Sequence, residues 1–150
     1  MIQLAGLGHV LLRVLDLERA KTFYSMLGFR VLEEDPEHGG TFMALPGQSH
    51  AIDLFAVKDA EAARRQTPGV RGLGHIAFRV DSEAALQEAY ATLRERGVEI
   101  TRTIDHVSQK SIYFDDPDGN TLEIYYELPN ALEMFARGRE DRDVPLALDR

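Results

Sequence analysis

The chain contains no cysteine, and this absence excludes three kinds of chemistry at once. Without a thiol there is no disulfide bond, no thiolate metal site and no cysteine nucleophile. Any metal site must therefore be built without cysteine thiolates. The absence of cysteine is also compatible with a reducing compartment, and we predict a cytoplasmic location.

The chain also lacks an excess of basic residues and any long apolar run. Seventeen Lys and Arg residues against 25 Asp and Glu residues give a formal net charge of −8. Nucleic-acid binding needs a basic face, so we exclude nucleic acid as a partner. No apolar run reaches the roughly 18 residues of a membrane helix, so no membrane span is predicted. The first residues lack the basic region of a signal peptide, and none is expected.

What the chain does contain is an internal repeat. Residues 72–80 read GLGHIAFRV, and residues 6–14 read GLGHVLLRV, so six of nine positions are identical. Each copy is followed by a helix-capping residue and a helical pattern of apolar positions. The sequence therefore predicts two related modules, each opening with a strand and a helix.

Each module is predicted to continue with three more strands, giving the order βαβββ twice. The helices are predicted at residues 16–27 and, from Asp81 or Ser82, to residue 96, each ended by a glycine. The later strands are predicted at about residues 29–33, 41–45, 51–57, 98–103, 111–114 and 121–127.

The predicted domain covers residues 1–128, as one unit made of two modules. Module one is residues 6–57, module two is residues 72–128, and residues 58–71 link them through a short exposed helix. Residues 129–150 form a C-terminal helix and charged tail. From sequence alone this tail can pack on the module, reach a partner subunit or be disordered.

His9 and His75 each open the first strand of a module. Side chains alternate along a strand, and each histidine shares its face with a smaller apolar residue and an arginine: His9 with Leu11 and Arg13, His75 with Ala77 and Arg79. That face is too polar for a core and too apolar in its middle for plain surface. A cavity wall fits it best, although two coincidental strand-end histidines remain the alternative.

Glu123, inside the last predicted strand, is the third candidate ligand. A carboxylate there is unfavourable unless something pairs with it. Two imidazoles and one carboxylate form the facial triad typical of non-haem Fe(II) oxygenases. We therefore predict one divalent metal ion held by His9, His75 and Glu123. A salt bridge from Glu123 to Arg79 or Arg13 is the alternative.

Taken together, residues 6–128 resemble the glyoxalase/bleomycin-resistance/dioxygenase superfamily, which has the vicinal oxygen chelate fold. The resemblance implies an α+β fold in which two βαβββ modules form a curled mixed β-sheet around a metal cavity. The ligand positions of that superfamily fall on His9, His75 and Glu123.

Within the superfamily, residues 104–123 resemble the type I extradiol ring-cleaving dioxygenases. The stretch contains a histidine, an aliphatic–Tyr pair, a Pro-x-Gly turn and the liganding glutamate, with His106 and Tyr113 as the first two polar groups. His50 falls where those enzymes have an acid–base histidine. The chain has two modules where many of those enzymes have four.

The resemblance implies an Fe(II)-dependent oxidoreductase that cleaves a catechol-like ring with dioxygen, as in aromatic degradation. His50 would act as acid and base, and Tyr113 and His106 would bind substrate oxygens. Zinc, manganese or nickel are the alternative metals. The superfamily commonly dimerises, so we expect a homodimer with residues 130–137 as a candidate contact.

The position of Asp53 is compatible with a second activity. In glyoxalase I-like members a fourth carboxylate ligand comes from its position, which would make the chain a metal lyase or isomerase. Otherwise Asp53 and Arg79 line the substrate cavity outside the metal ligands. A third alternative is a non-catalytic, drug-sequestering binding protein, which is disfavoured because such members need not keep three metal ligands.

Overall fold

The computed structural model describes residues 2–3, 5–59, 71–138 and 143–148. The chain divides into two compact units, Met1–Arg65 and Gln66–Arg150. Each unit carries one copy of the repeat, and the division between them falls in the predicted linker. The exposed helix predicted within that linker lies outside the described residues from residue 60 onward.

The first unit contains one helix and a mixed four-stranded sheet. The elements are β1 (Val10–Val14), α1 (Leu17–Met26), β2 (Arg30–Asp35), β3 (Gly40–Ala44) and β4 (Ile52–Ala56). The strand order is β1-β4-β3-β2, with β1 parallel to β4 and the other neighbours antiparallel. The helix carries the chain from β1 across to the far edge of the sheet.

The second unit repeats this arrangement and adds to it. Its elements are β5 (Ile76–Val80), α2 (Glu83–Glu95), β6 (Ile100–Asp105), β7 (Gln109–Asp115), β8 (Thr121–Glu127), α3 (Ala131–Arg137) and β9 (Val144–Pro145). The strand order is β5-β8-β7-β6-β9, again with the first pair parallel. Within the described part of the tail, Val144–Pro145 therefore pairs with its own module, as a fifth strand beside β6.

The predicted fold class is confirmed: the chain is α+β and consists of two βαβββ modules. The sequence predicts a single sheet, whereas the described strands form two hydrogen-bonded sheets, one in each module. The longest described helix has 13 residues. Within the described ranges no helix has the length and apolar character needed to cross a membrane.

The helix boundaries follow from local capping chemistry. The Asp16 carboxylate accepts a hydrogen bond from the backbone N–H of Arg19 at 2.9 Å. Ser82, rather than Asp81, caps α2 by accepting from the N–H of Ala85 at 3.1 Å. Such caps contribute about 1 kcal/mol each because they satisfy an orphan donor of the first turn. Gly28, with φ of 98°, then ends α1 as predicted.

The core of each unit lies between its helix and one face of its sheet. In β1, Leu12 and Val14 are buried while Leu11 and Arg13 on the opposite face are exposed. Ala20 and Tyr24 of α1 are fully buried as well. The predicted alternation in β1 is therefore observed, and the face that carries the histidine is directed away from the helix.

Gly40 tests how tightly side chains pack on the histidine-bearing face of the first sheet. Gly40 pairs with Phe55 across β3 and β4, and a Cβ at Gly40 would lie 2.7 Å from Cδ1 of the Phe55 ring. That ring also packs edge-on to Phe42 and lies under the Arg13 guanidinium. We expect Gly40→Ala to lower the free energy of unfolding by about 1–3 kcal/mol through overpacking.

Urea denaturation measures this effect, with Gly6→Ala as the control because a Cβ at Gly6 meets no atom within 4 Å. An unchanged unfolding midpoint for Gly40→Ala would contradict the packing of Phe55 against this glycine.

Candidate metal centre

The strand register gives Asp53 and Glu123 equivalent positions in the two modules. The parallel pairing of β1 with β4 places Leu11 opposite Asp53. The parallel pairing of β5 with β8 places Ala77 opposite Glu123 in the same way. Each module therefore brings the histidine that precedes its first strand toward a carboxylate in its last strand.

In the second unit this histidine and carboxylate are in contact. His75 Nε2 lies 2.9 Å from Glu123 Oε2, and the amide of Gln109 donates a hydrogen bond to Glu123 Oε1 at 3.0 Å. Glu123 is only 2% exposed. Arg79 forms its described ion pair with Glu127, at 3.7 Å. This differs from the alternative raised by the sequence, a salt bridge between Arg79 and Glu123.

In the first unit the carboxylate meets two histidines. His9 Nε2 lies 3.4 Å from Asp53 Oδ2, and His50 Nδ1 lies 3.0 Å from Asp53 Oδ1. The two imidazole rings are 4.5 Å apart between centroids. His50 reaches Asp53 because it lies in the loop before β4, which begins at Ile52. One ligand atom from each of the three residues lies within 4.8 Å of the others.

The distances and burial of both groups fit a divalent metal ion. Adjacent ligands at roughly 2.0–2.2 Å from one ion lie about 2.8–3.6 Å apart, and all three histidine–carboxylate separations fall within this range. Asp53 is buried, and its Oδ1 accepts no hydrogen bond of acceptable geometry. A buried carboxylate of this kind is costly without a cation. Imidazole and carboxylate together suit iron, nickel, zinc and manganese.

Two ligand sets therefore compete for the predicted ion. The predicted triad takes His9 from the first unit and the contacting pair, His75 and Glu123, from the second. The cluster of His9, His50 and Asp53 lies wholly within the first unit. The triad stays a prediction, and the two sets differ in which carboxylate the metal requires.

Tyr113 and His106 form a polar pair beside Glu123. Tyr113 lies directly opposite Glu123 across β7 and β8, and its hydroxyl is 3.0 Å from His106 Nε2. Its ring packs edge-on to His75, with centroids 5.7 Å apart. Burial, together with the Glu123 carboxylate, raises the pKa of Tyr113 to about 12. Tyr113 therefore remains a protonated hydrogen-bond donor at physiological pH.

Three further residues contact this pair or Glu123, and none of them was predicted from the sequence. Gln109 holds Glu123, the Arg102 guanidinium carbon lies 4.2 Å from the Tyr113 ring centroid, and Asp143 Oδ1 is 2.6 Å from His106 Nδ1. Gln109 shares a strand face with Tyr113 by simple alternation, so a longer predicted β7 would have found it. Asp143 is 37 residues from His106 in the sequence, so no local pattern links the two residues.

Comparisons with known proteins give a consistent result. The sequence profile of the Glyoxalase/Bleomycin resistance protein/Dioxygenase superfamily matches residues 6–124. Biphenyl-2,3-diol 1,2-dioxygenase 2 of Rhodococcus globerulus is 29% identical over 136 residues, covering 88% of this chain and 70% of that protein. Lactoylglutathione lyase of Pseudomonas aeruginosa is 29% identical over 142 residues, covering 77% and 79%.

Among solved structures, a glyoxylase/bleomycin resistance protein/dioxygenase domain from Frankia sp. EAN1pec superimposes with a TM-score of 0.72 at 26% identity. The match covers 84% of this chain and all of that domain. The two relatives in the preceding comparison carry different activities, so similarity alone does not choose between ring cleavage and lyase chemistry.

Proposed function

The chain belongs to the Glyoxalase/Bleomycin resistance protein/Dioxygenase superfamily, and on that premise we propose that it is an Fe(II)-dependent dioxygenase that cleaves a catechol-like ring. The observation that carries the proposal is the Tyr113–His106 pair beside His75 and Glu123. A lyase or a binding protein has no evident need for this pair. Dioxygen is the second substrate, and a cytoplasmic location is part of the proposal.

The proposed ligands of the ion are His9, His75 and Glu123. The chemistry that such an ion supplies when bound is Lewis acidity toward two adjacent substrate oxygens, together with electron transfer. Gln109 donates to Glu123 Oε1 and so fixes the carboxylate through the hydrogen bond described above. This leaves Oε2, which already faces His75, as the oxygen available to a metal.

Tyr113 and His50 have separate proposed roles toward the substrate. The Tyr113 hydroxyl stays protonated, and its single proton, which faces His106 Nε2 in the free protein, turns to a substrate oxygen on which negative charge develops. His50 removes the proton of a catechol hydroxyl and later returns it, since histidine exchanges protons near neutral pH. The 3.0 Å separation between Asp53 Oδ1 and His50 Nδ1 is an ion-pair distance without hydrogen-bond geometry. Asp53 therefore attracts that nitrogen by its charge and leaves the other nitrogen for proton transfer.

Oxygen uptake and formation of a yellow ring-cleavage product test the proposal. The protein is loaded anaerobically with Fe(II) and offered a panel of catechols. We expect turnover, and we expect Tyr113→Phe to reduce kcat by about 10²–10³-fold, as loss of one charge-stabilising donor typically does. Tyr126→Phe, on the same sheet in β8, is the matched control. If no catechol supports oxygen uptake by the wild-type protein, the proposal is wrong.

One observation favours a second activity, a glyoxalase-type lyase or isomerase. Asp53 occupies in module one the position that Glu123 occupies in module two, and both carboxylates are buried beside a histidine. The four residues His9, Asp53, His75 and Glu123 would then all be ligands, and a carboxylate would move a proton beside a chelated carbonyl. This activity predicts formation of lactoylglutathione without oxygen consumption. A drug-sequestering protein predicts neither reaction.

We also propose that the protein is a homodimer with α3 in the contact. Leu132 is 81% exposed and Phe135 is 53% exposed on this helix, and exposed apolar side chains of this size are typical of interfaces. Light scattering at micromolar concentration should give twice the chain mass. A monomeric mass would rule this proposal out.

A further inference from the structure

The C-terminal segment, residues 143–148, is fastened to the edge of the second sheet. Val144 and Pro145 form β9, with Val144 opposite Asp105 and Pro145 opposite Ile104 of β6. The Thr103 hydroxyl donates to the Leu146 carbonyl at 2.7 Å, and the Leu146 N–H donates to the Thr103 carbonyl at 3.2 Å. In the described part of the first unit, the sheet ends at β2 and has no such strand.

This added strand brings one carboxylate to a residue of the candidate site. Asp143, the residue before β9, has its Oδ1 2.6 Å from His106 Nδ1. The His106 side chain is only 12% exposed, and its Nε2 faces the Tyr113 hydroxyl. Asp143, His106 and Tyr113 thus form a continuous hydrogen-bonded line that runs from the C-terminal segment toward Glu123.

The backbone at this turn fixes the position of His106 but not the orientation of its ring. Val107 has φ of 69°, the left-handed region that β-branched residues rarely adopt. The conformation is held by the Asp105 carboxylate, which accepts from the Val107 N–H, and by the His106 N–H, which donates to the Gln109 carbonyl. These bonds restrain the main chain. The tautomer of the imidazole is set instead by the group that accepts a hydrogen bond from one of its ring nitrogens.

We infer that Asp143 is that group: a positioning residue that keeps a proton on His106 Nδ1 and presents Nε2 to Tyr113. The nitrogen of a histidine that carries the proton is set by the hydrogen bond its other nitrogen makes. An anionic acceptor at Nδ1 therefore fixes both the tautomer and the ring plane. The catalytic part of this inference rests on the proposed function, whereas the tautomer does not.

Nitrogen-15 NMR of histidine-labelled protein tests the tautomer directly, in the full-length chain loaded with diamagnetic zinc. The signals of His106 among the five histidines are assigned by their loss in His106→Asn. We expect proton-bearing Nδ1 in the wild type, a shift away from that pattern in Asp143→Ala, and its recovery in Asp143→Asn, whose amide oxygen still accepts. Glu133→Ala, which removes an exposed carboxylate from α3, is the control. An unchanged His106 pattern in Asp143→Ala overturns the inference.

Kinetics test whether the positioning matters for catalysis. Outer-shell partners that orient metal-ligating histidines typically contribute about 10–100-fold, and we apply the same range to a carboxylate that orients His106. We expect Asp143→Ala to lower kcat with a catechol by this factor, with KM, metal content and melting temperature unchanged, and Asp143→Asn to recover most of the loss. An unchanged kcat overturns the catalytic role. If the wild-type protein turns over no catechol, the proposed function fails, and the NMR result alone decides the inference about Asp143.

Discussion

Replacing Glu123 with alanine should remove most of the metal from the protein. The expected content is about one divalent ion per chain in the wild type, with affinity at least 100-fold weaker in Glu123→Ala, because even outer-shell partners of a metal contribute about 10–100-fold. Glu123 is buried, contacts His75 and is oriented by Gln109. Among the described residues of its own unit, no lysine or arginine forms an ion pair with this carboxylate.

Metal analysis after anaerobic purification, followed by titration of the metal-free protein, measures this change. Glu127→Ala is the matched control, since Glu127 lies in the same strand and pairs with Arg79 at the surface. Asp53→Ala separates the two ligand sets. If Asp53→Ala loses the metal and Glu123→Ala keeps it, the ion belongs to the cluster of His9, His50 and Asp53, and the predicted triad is wrong.

Replacing His50 with phenylalanine should leave the metal in place and remove most of the turnover. General acid–base groups contribute about 10²–10⁴-fold, and we expect a loss of kcat in this range with a catechol. Phenylalanine is a suitable replacement because the His50 ring already packs against aromatic neighbours, His9 and Phe42. The variant therefore removes the two nitrogens while it retains much of the packing.

The matched comparison is Asp53→Ala in the same assay. In a ring-cleaving dioxygenase Asp53 only orients His50, so its loss should cost about 10-fold, the lower end of outer-shell effects. A glyoxalase-type enzyme predicts the reverse order, because Asp53 would then bind metal or move the proton and His50→Phe would be nearly silent. Normal catechol turnover by His50→Phe would exclude the acid–base role of His50. Loss of metal from His50→Phe would instead make His50 a ligand.

The repeated segment determined the modular fold because its information is local. The pattern of His9 and His75, each before an alternating strand and a capped helix, predicts two βαβββ modules, and both are observed. The superfamily predicted from these residues is confirmed by the match over residues 6–124. Helix ends were predictable for the same reason, since Asp16 and Gly28 act within one turn of their own position.

The equivalence of Asp53 and Glu123 was hidden in the sequence. His9 and Asp53 are 44 residues apart, whereas His75 and Glu123 are 48 residues apart. The two spacings differ because the segments between the paired strands differ in length. Strand pairing does not fix the length of such a segment. Only the parallel registers, Leu11 with Asp53 and Ala77 with Glu123, reveal that the two carboxylates correspond.

The sequence by itself thus determined the elements, the caps and which side chains share a strand face, because each of these depends on neighbours within a few residues. Only the tertiary structure decided which polar groups meet. His50 contacts Asp53 through a loop, and Asp143 contacts His106 through a fifth strand that pairs with β6. The contact between Asp143 and His106 requires a distant segment to pair with the backbone donors and acceptors at a sheet edge. No local periodicity in the sequence predicts that pairing.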